Sequence, residues 1–463
     1  MDLDICGGAY NLKAPVAVQE CINLFPEIEK QGAQSRRILR RFPGLTTFKD
    51  LANGPIRGMR RVNKVLYVVA GTGLFTVSAA GVASASLGTI PGTQIVSMAH
   101  DGTNLVIVLG TTAQYTYTGS VFSTVTLPYN SAKVLYLDTY MVHQRKDTNQ
   151  IFISASESVT SYSSLDIATK VGQPGDIVTM ITSNRDLILF GEDTTETWRN
   201  QANVDFTFQR QEGTFQERGA LALNAPVEMD NDVYYIGDDR VVYRMAGYQP
   251  TRISHHAIEK WLDEQSKKDI DAAFGMTITH QGHYWYILTL ANGTWVYDAT
   301  VSGMTGDHEW FQLLSYQEKN WRVDVVEEAY GATYCGGGDG IIYTFDIDAV
   351  NENGEQQIKR RTTPYYHAER HRTSFNRLDL GFEEAVATAS VTNPQVVLEI
   401  SNDWGRTWGN RRARSLGQLG QYNKSAVWRR NGAPRNSTFR ITVTDDVEVT
   451  FTGQWGDVAV GTG

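Results

Sequence analysis

Two short apolar runs flank a glycine-rich turn in the stretch Val65-Leu-Tyr-Val-Val-Ala-Gly-Thr-Gly-Leu-Phe-Thr-Val77. Both runs are rich in β-branched and aromatic residues, which favour strands. Gly71 and Gly73 can supply the positive φ that a tight turn between two strands requires. The stretch therefore predicts a β-hairpin. Because an isolated hairpin is barely stable in water, this one is expected to belong to a larger β assembly.

The same pattern of strand, turn and strand returns along the chain, at 104–110 with 114–117, 140–144 with 150–154, 186–191 with 196–198, 232–237 with 240–244, 283–290 with 293–298, and 332–337 with 340–345. The spacing is close to the roughly 40–50 residues of a propeller blade. The sequence therefore predicts an all-β fold. A β-propeller of seven blades is favoured, because radial repetition hides strand edges. Six blades are possible if the divergent 133–155 unit lies outside the ring, and two ordinary β-sandwiches are the alternative.

Three domains are predicted. Residues 1–54 do not fit the repeat and are interpreted as an N-terminal arm and docking segment, residues 55–350 as the propeller, and residues 351–463 as an extra C-terminal β-sandwich-like domain. One amphipathic helix over 255–268 interrupts the repeats, since Ile258, Trp261 and Leu262 fall on one helical face.

The predicted arm contains a short basic segment, Ser35-Arg-Arg-Ile-Leu-Arg-Arg-Phe42. Its four arginines could dock on an acidic neighbour or on phosphates. A solvated structural arm is the alternative. The candidate partner-docking residues are Arg36, Arg37, Arg40 and Arg41.

Charge is distributed unevenly. The net charge is −9, and residues 355–463 hold 15 Lys/Arg against 11 Asp/Glu, which leaves −13 for the rest of the chain. An acidic body argues against tight wrapping of nucleic acid, whose affinity depends on phosphate neutralisation. It would suit a surface past which DNA slides without sticking, and simple solubility charge is the alternative.

Bulk properties are those of a soluble globular protein, with 41% hydrophobic and 20% charged residues in a chain of 463. The start of the chain has no secretory pattern, and no apolar run approaches the ~20 residues of a membrane span. The three cysteines, Cys6, Cys21 and Cys335, are too few and scattered for a disulfide framework or a metal cage. We expect a protein made in a reducing cytoplasm.

Catalytic and cofactor motifs are not evident. The sequence contains no GxxxxGK[ST], GxSxG or CxxC, and Gly336-Gly-Gly-Asp-Gly340 is interpreted as a hairpin turn. Two histidine pairs, His367 with His371 and His280 with His283, lack the third ligand that zinc requires. His255 and His256 are interpreted as helix N-terminal surface. We predict no cofactor and no metal.

The sharpest local motif is Ser401-Asn-Asp-Trp-Gly-Arg-Thr-Trp408, which resembles the Asp box, S-x-D-x-G-x-T-W, of sialidases and other propellers. The Asp403 carboxylate can accept backbone N–H bonds within the turn, Gly405 permits the turn dihedrals, and Trp408 can pack beneath. The structural turn residues are Ser401, Asp403, Gly405, Thr407 and Trp408. A sialidase-like glycosidase is the alternative, although the nearest match to its Phe-Arg-Ile-Pro, Phe439-Arg-Ile-Thr442, follows the box and lacks the proline.

The chain as a whole resembles the packaged-DNA stabilisation proteins, the tail hub or nozzle proteins of short-tailed phages. Stretches that carry the resemblance include Cys21-Ile-Asn-Leu-Phe-Pro-Glu27, Gly54-Pro-Ile-Arg-Gly-Met59, Thr195-Glu-Thr-Trp198, Gly247-Tyr-Gln-Pro-Thr-Arg-Ile-Ser-His-His-Ala-Ile-Glu259, Thr294-Trp-Val-Tyr-Asp298, Ser401–Trp408 and Trp428-Arg-Arg430. His255 departs from an expected Thr, and residues 145–165 match only loosely.

The resemblance implies a structural virion protein rather than an enzyme. It implies a hexameric ring of copies below the portal and the head–tail adaptor, which closes the DNA exit with a tail needle, carries tailspikes or tail fibres, and lets double-stranded DNA pass. The expected location is the virion tail, after assembly in the bacterial cytoplasm. The alternative function is a propeller glycosidase or a carbohydrate-binding tail component.

Overall fold

The computed structural model describes residues 19–31, 34–367, 371–383, 386–422 and 424–460. Seven antiparallel four-stranded units, here called blades 1 to 7, are built around the seven predicted strand pairs. The first four strand sets are Ile56–Val62, Val65–Ala70, Gly73–Val77 and Gly88–Thr89; Ser97–His100, Leu105–Val108, Thr111–Thr118 and the start of Val121–Leu137; the end of Val121–Leu137, Tyr140–Arg145, Gln150–Ser154 and Tyr162–Thr169; and Ile177–Ser183, Asp186–Gly191, Thr195–Asn200 and Phe208–Arg210.

Blades 5 to 7 follow the same plan. Their strands are Val227–Met229, Asp232–Ile236, Val242–Ala246 and Gln249–Arg252; Phe274–His280, His283–Leu290, Gly293–Asp298 and Trp310–Leu313; and Val323–Ala329, Ala332–Gly337, Ile341–Asp346 and Gly44–Asp50. The first strand of each blade contacts the first strand of the next, and the circle closes between blades 7 and 1. The divergent 133–155 unit lies inside the ring as part of blade 3, so the propeller has seven blades.

Blade 7 takes its fourth strand from the N-terminal part of the chain. Gly44–Asp50 pairs with Ile341–Asp346, with Thr47 opposite Tyr343. Within the described residues, part of the predicted arm over residues 1–54 is therefore a strand of the propeller. A closed ring needs this strand to complete its last sheet. Radial closure leaves few exposed strand edges, which is why this arrangement is favourable.

The C-terminal part forms a β-sandwich of two sheets. One sheet is Leu24–Gln31, Gln34–Arg41, Thr450–Val460, Thr373–Phe382 and Ala426–Arg429 in that order, so two of its five strands come from the N-terminal region. The other consists of Lys359–Thr362, Asn436–Val443, Gln395–Ser401 and Arg412–Ser415, with Tyr366–His367 at its side. The short strand Cys21–Ile22 lies between Trp310–Leu313 of blade 6 and Lys359–Thr362, and joins them into one sheet.

Apolar side chains fill the spaces between blades and the junction with the sandwich. Phe42 has no exposed surface, and its ring contacts Trp285, Trp321 and Phe345 at centroid distances of 5.0, 5.9 and 5.4 Å. These aromatic contacts bind the N-terminal strands to blades 6 and 7. Propeller and sandwich thus share one aromatic core at their junction.

The predicted helix over 255–268 is two shorter helices, α1 (His256–Asp263) and α2 (Lys267–Asp271), and a third, α3 (Ala299–Thr305), follows blade 6's third strand. The side chain of His255 caps α1, so this residue is not the plain surface position that was predicted, whereas His256 is exposed. Ser266 caps α2 and interrupts the helical run. None of the helices in the described part of the chain has the length and apolarity needed to cross a membrane.

Candidate functional site

The axis of the propeller holds a small cavity of about 290 Å³. It is lined by the first strands of six blades or the residues beside them, with the charged side chains Arg60, Lys133, Asp324 and Glu327 among them. A DNA duplex, whose major groove alone is about 12 Å wide, does not fit through it.

Most of the charged side chains in this axial cavity form hydrogen bonds or ion pairs with neighbouring residues. Lys133 Nζ donates to Thr179 Oγ1 at 3.1 Å and to the Leu223 carbonyl at 3.2 Å, and burial lowers its pKa to about 8. Arg60 lies 3.6 Å from Glu327. Burial, with Glu318 and Asp339 nearby, raises the pKa of Asp324 to about 6. The lining carries both signs of charge and suits packing between blades better than binding of a polyanion.

The N-terminal arginines have partners within the chain. Arg37 donates to Glu309 from both terminal nitrogens, at 2.6 and 2.5 Å. Arg40 donates to Glu27 at 2.9 Å on the adjacent strand. Arg41, almost fully buried, donates to Glu448 at 2.5 Å and to the carbonyls of Ala349 and Ile347. The side chain of Arg36 lies outside the described residues.

These contacts differ from the predicted docking role. Arg37 ties the hairpin of residues 24–41 to the loop before the last strand of blade 6, and Arg41 ties it to the connection between propeller and sandwich. The side chains of Arg37 and Arg41 are only 20% and 2% exposed, so little of either guanidinium is open to an external partner. We therefore interpret Arg37 and Arg41 as residues that fasten the two domains together.

The Asp box forms the turn between Gln395–Ser401 and Arg412–Ser415 of the sandwich. Asp403 Oδ1 accepts from the Thr407 N–H and the Ser401 hydroxyl, each at 2.8 Å, and Oδ2 accepts from the Thr407 hydroxyl at 2.5 Å. The hydrogen bonds from Thr407, with that from Ser401, lower the pKa of Asp403 to about 2. Gly405 has φ +82° and donates to Ser401 Oγ. The side chains of Ser401, Asp403 and Thr407 are thus all engaged within the turn.

Trp408 is half-buried, and its ring lies 3.7 Å beneath the guanidinium carbon of Arg440. Arg440 in turn pairs with Glu20 at 3.3 Å. A cation over an aromatic face contributes roughly 0.5–1 kcal/mol at exposed sites and more where water is excluded. The box therefore connects to the strand Asn436–Val443 through this stacked pair.

Two histidine clusters have the residue types of a catalytic relay. Ser131 Oγ lies 2.9 Å from His143 Nδ1, whose Nε2 lies 3.1 Å from the Tyr162 hydroxyl. Ser131 and His143 have no exposed surface, and burial lowers the pKa of His143 to about 3. A buried hydroxyl cannot reach a substrate. No local sequence pattern indicates this network, which links blades 2 and 3 through the hydrogen bond from Tyr162 to Gln114 at 2.7 Å.

The predicted histidine pair of blade 6 sits on opposite strands of one hairpin, with His280 across from His283. His283 Nδ1 lies 2.7 Å from Asp298 Oδ2, and Trp285 Nε1 donates to the same oxygen at 2.9 Å. Among the described residues no group of three His, Cys, Asp or Glu side chains is placed to hold a metal. The side chain of His367 and the whole of Cys6 lie outside the described part, so the predictions for His367 with His371 and for Cys6 stay predictions. Cys21 and Cys335 are buried cysteines.

Solved structures similar to this chain include the computationally designed Ika8 protein, at 12% identity and TM-score 0.39, covering 65% of this chain and 100% of that one. PorZ, a surface component of the type-IX secretion system of Porphyromonas gingivalis, matches at 13% identity and TM-score 0.39, covering 65% of this chain and 37% of its own. A search of curated protein sequences finds no match.

Family sequence models cover nearly the whole chain. The family described as bacteriophage P22 Gp10, beta-propeller, matches residues 2–350, and the one described as bacteriophage P22 Gp10, beta-sandwich, matches residues 359–455. The predicted fold class, a β-propeller followed by a C-terminal β-sandwich, is confirmed. Proteins of this family are structural components of the phage tail that stabilise packaged DNA. The chain therefore belongs to the bacteriophage P22 Gp10 family of packaged-DNA stabilisation proteins.

Proposed function

We propose that copies of this chain form the ring that closes the DNA exit of the phage tail and later becomes part of the ejection channel. The axial cavity of one propeller supports this proposal, because at about 290 Å³ it is far too small for a duplex. If DNA passes this layer of the tail, its path lies between copies. A ring of identical subunits makes such a path when a head-to-tail contact closes on itself.

The proposed ring holds six copies and lies below the portal and the head–tail adaptor. A tail needle would plug it, and tailspikes or fibres would attach to its flank. These partners follow from the family resemblance. The balance of −13 outside residues 355–463 is compatible with a path past which DNA phosphates slide. Assembly would take place in the cytoplasm of the bacterial host.

Imaging of virions made without this protein tests the proposal. We expect filled heads that lose their DNA and tails that lack the layer below the adaptor. Complete, stable particles would contradict it. A hexameric layer in the wild-type tail, matched to this chain, is the positive result.

The glycosidase alternative rests on the Asp box alone. Ser401, Asp403 and Thr407 are all engaged in the turn itself, and the family is a structural one. We propose that the chain has no hydrolytic role and that the box stabilises a hairpin. Purified protein should show no turnover of sialosides, polysaccharides or peptidoglycan, and hydrolysis that disappears with a point mutation would support the alternative instead.

A further inference from the structure

Five arginines lie on or beside the two edge strands Arg412–Ser415 and Ala426–Arg429 of the sandwich. We call this group the arginine edge: Arg411, Arg412, Arg414, Arg429 and Arg430. Within the described residues between 371 and 460, the arginines that form ion pairs are Arg377 and Arg440. The arginine edge therefore carries positive charge that this part of the chain does not neutralise.

Backbone carbonyls hold part of this edge in place. Arg412 donates to Asn431 Oδ1 and to the Arg429 carbonyl, each at 2.7 Å, and Arg414 Nε donates to the Val427 carbonyl at 3.0 Å. Each guanidinium has five N–H donors, so further donors remain for an acceptor outside the chain. Side chains that are already ordered lose less entropy on binding.

The loop between the two edge strands adds exposed apolar surface. Leu419 is 74% exposed and Tyr422 is 70% exposed. Lys424 connects the loop to the edge by donating to Ser415 Oγ at 3.3 Å. Arginine and tyrosine beside apolar groups are the composition of protein–protein interfaces rather than of contacts to DNA phosphates. We call the arginine edge together with this loop the sandwich tip.

A second surface, which combines apolar side chains with carboxylates, lies on the outer rim of the propeller between blades 3 and 4. This rim groove is a cavity of about 450 Å³ lined by Val171, Phe206 and Asp205 among others. Val204 is fully exposed beside it, and Val171 is 69% exposed. An adjoining pocket contains Phe215 and Glu212. The rim groove thus offers apolar side chains beside two carboxylates, with Arg210 between the two pockets.

The two surfaces belong to different parts of the fold. The sandwich joins the propeller at blades 6 and 7, whereas the rim groove lies between blades 3 and 4, three blades away on one side and four on the other. Arg412–Ser415 is also the strand at the far end of the shared sheet from blade 6. Two different complementary patches on separate parts of one chain are what a head-to-tail contact needs.

We propose that the sandwich tip of one copy docks into the rim groove of the next copy. Tyr422 and Leu419 enter the apolar groove, and the arginine edge faces Asp205 and Glu212 at its border. This assignment rests on the ring of the proposed function and names the surfaces that build it. Opposite charge at the border sets partner choice and register, while the apolar contact supplies most of the affinity.

Charge reversal in virions tests the contact. The tip variant is Arg411→Glu, Arg414→Glu and Arg430→Glu; the groove variant is Asp205→Arg and Glu212→Arg. The control variant, Lys64→Glu, Lys268→Glu and Lys319→Glu, changes three exposed lysines outside both surfaces. We expect each of the first two to lower incorporation into tails at least about tenfold, the two combined in one chain to recover part of the loss, and the control to assemble normally.

Cysteine cross-linking gives a second measurement. Tyr422→Cys and Val204→Cys in one chain should yield covalent rings or ladders from purified tails, whereas either cysteine alone should not. If wild-type tails contain the ring but the reversed variants assemble like the control and no cross-link forms, the proposed contact is wrong while the proposed function stands. If wild-type tails contain no such ring, the proposed function itself fails. Tip variants that assemble normally but release DNA would overturn the contact in favour of a DNA-binding edge.

Discussion

Arg37 and Glu309 form a bidentate ion pair between the N-terminal hairpin and blade 6, with N–O distances of 2.6 and 2.5 Å. The side chain of Glu309 is only 3% exposed, so Arg37 takes the place of water around its carboxylate. The residues are separated by 272 positions in sequence. The pair therefore fastens the first strands of the sandwich to the propeller, beside the strand Cys21–Ile22 that joins the two sheets.

Removing Arg37 should therefore be costly. Arg37→Ala leaves a buried carboxylate without its partner, and we expect a loss of about 3–5 kcal/mol in the free energy of unfolding. Arg40→Ala is the matched control, because its pair with Glu27 is partly exposed on both sides and should contribute at most about 1 kcal/mol. Denaturant unfolding measures both, and equal losses would contradict a fastening role for Arg37.

The sandwich should not fold from its C-terminal residues alone. One of its two sheets takes Leu24–Gln31 and Gln34–Arg41 from the N-terminal region. A fragment of residues 359–460 would leave the strand Thr450–Val460 without its pairing to Gln34–Arg41. We expect it to show no cooperative unfolding, and a permuted fragment with residues 20–41 joined after residue 460 to recover it. Circular dichroism during heating distinguishes the two, and a cooperative short fragment would contradict the prediction.

The blades could be predicted from the sequence because each is local. Strand, turn and strand lie within about 15 residues, so apolar runs and turn glycines such as Gly71 identify them without knowledge of partners. The strand Gly44–Asp50 has its partner at Ile341–Asp346, and no local pattern indicates that pairing. Closure of the ring and the shared sheet depend on contacts between distant residues, which is why the predicted arm took another form.

Arg37 and Arg41 also have partners that are distant in sequence, and these could not be predicted. Charge in a sequence is normally interpreted as solvent-exposed, and the acidic partner of Arg41 lies 407 residues away. The Asp box was predictable in detail because all of its hydrogen bonds are made within a few residues. A buried network such as that of Ser131 with His143 has no sequence signal. Polar residues alternate with apolar ones along most strands, so the pattern does not show which polar residues are buried.

Asp403 should stabilise the sandwich in a pH-dependent way. Its pKa is lowered to about 2 in the fold, from 3.8, by bonds from Thr407 and Ser401. The stabilisation is therefore complete above the unfolded pKa and is lost as pH falls towards 2. Asp403→Ala should lower the melting temperature at pH 7, and the difference from wild type should shrink in acid. Asp457→Ala, an exposed position in the same domain, is the control; a pH-independent difference would contradict the assignment.

Glu352 should make stability depend on pH in the direction opposite to that of Asp403. It is almost fully buried where the connection between the domains meets blade 7, with Arg322 Nε 3.3 Å away, and burial outweighs this neighbour and raises its pKa to about 7 from 4.5. Because the folded pKa is raised, the favourable contribution of the protonated acid is complete below pH 4.5 and is lost as pH rises through 7.

Glu352→Gln keeps the shape of the side chain and removes the titration. We expect it to be more stable than wild type at pH 8, by up to about 3 kcal/mol, with a difference that disappears near pH 4.5. Glu355→Gln is the control, because Glu355 also pairs with Arg322 but is about half exposed. Denaturant unfolding between pH 4.5 and 8 provides the measurement. A variant less stable than wild type at pH 8 would mean that the Glu352 carboxylate is ionised in the fold and that its pair with Arg322 outweighs its burial.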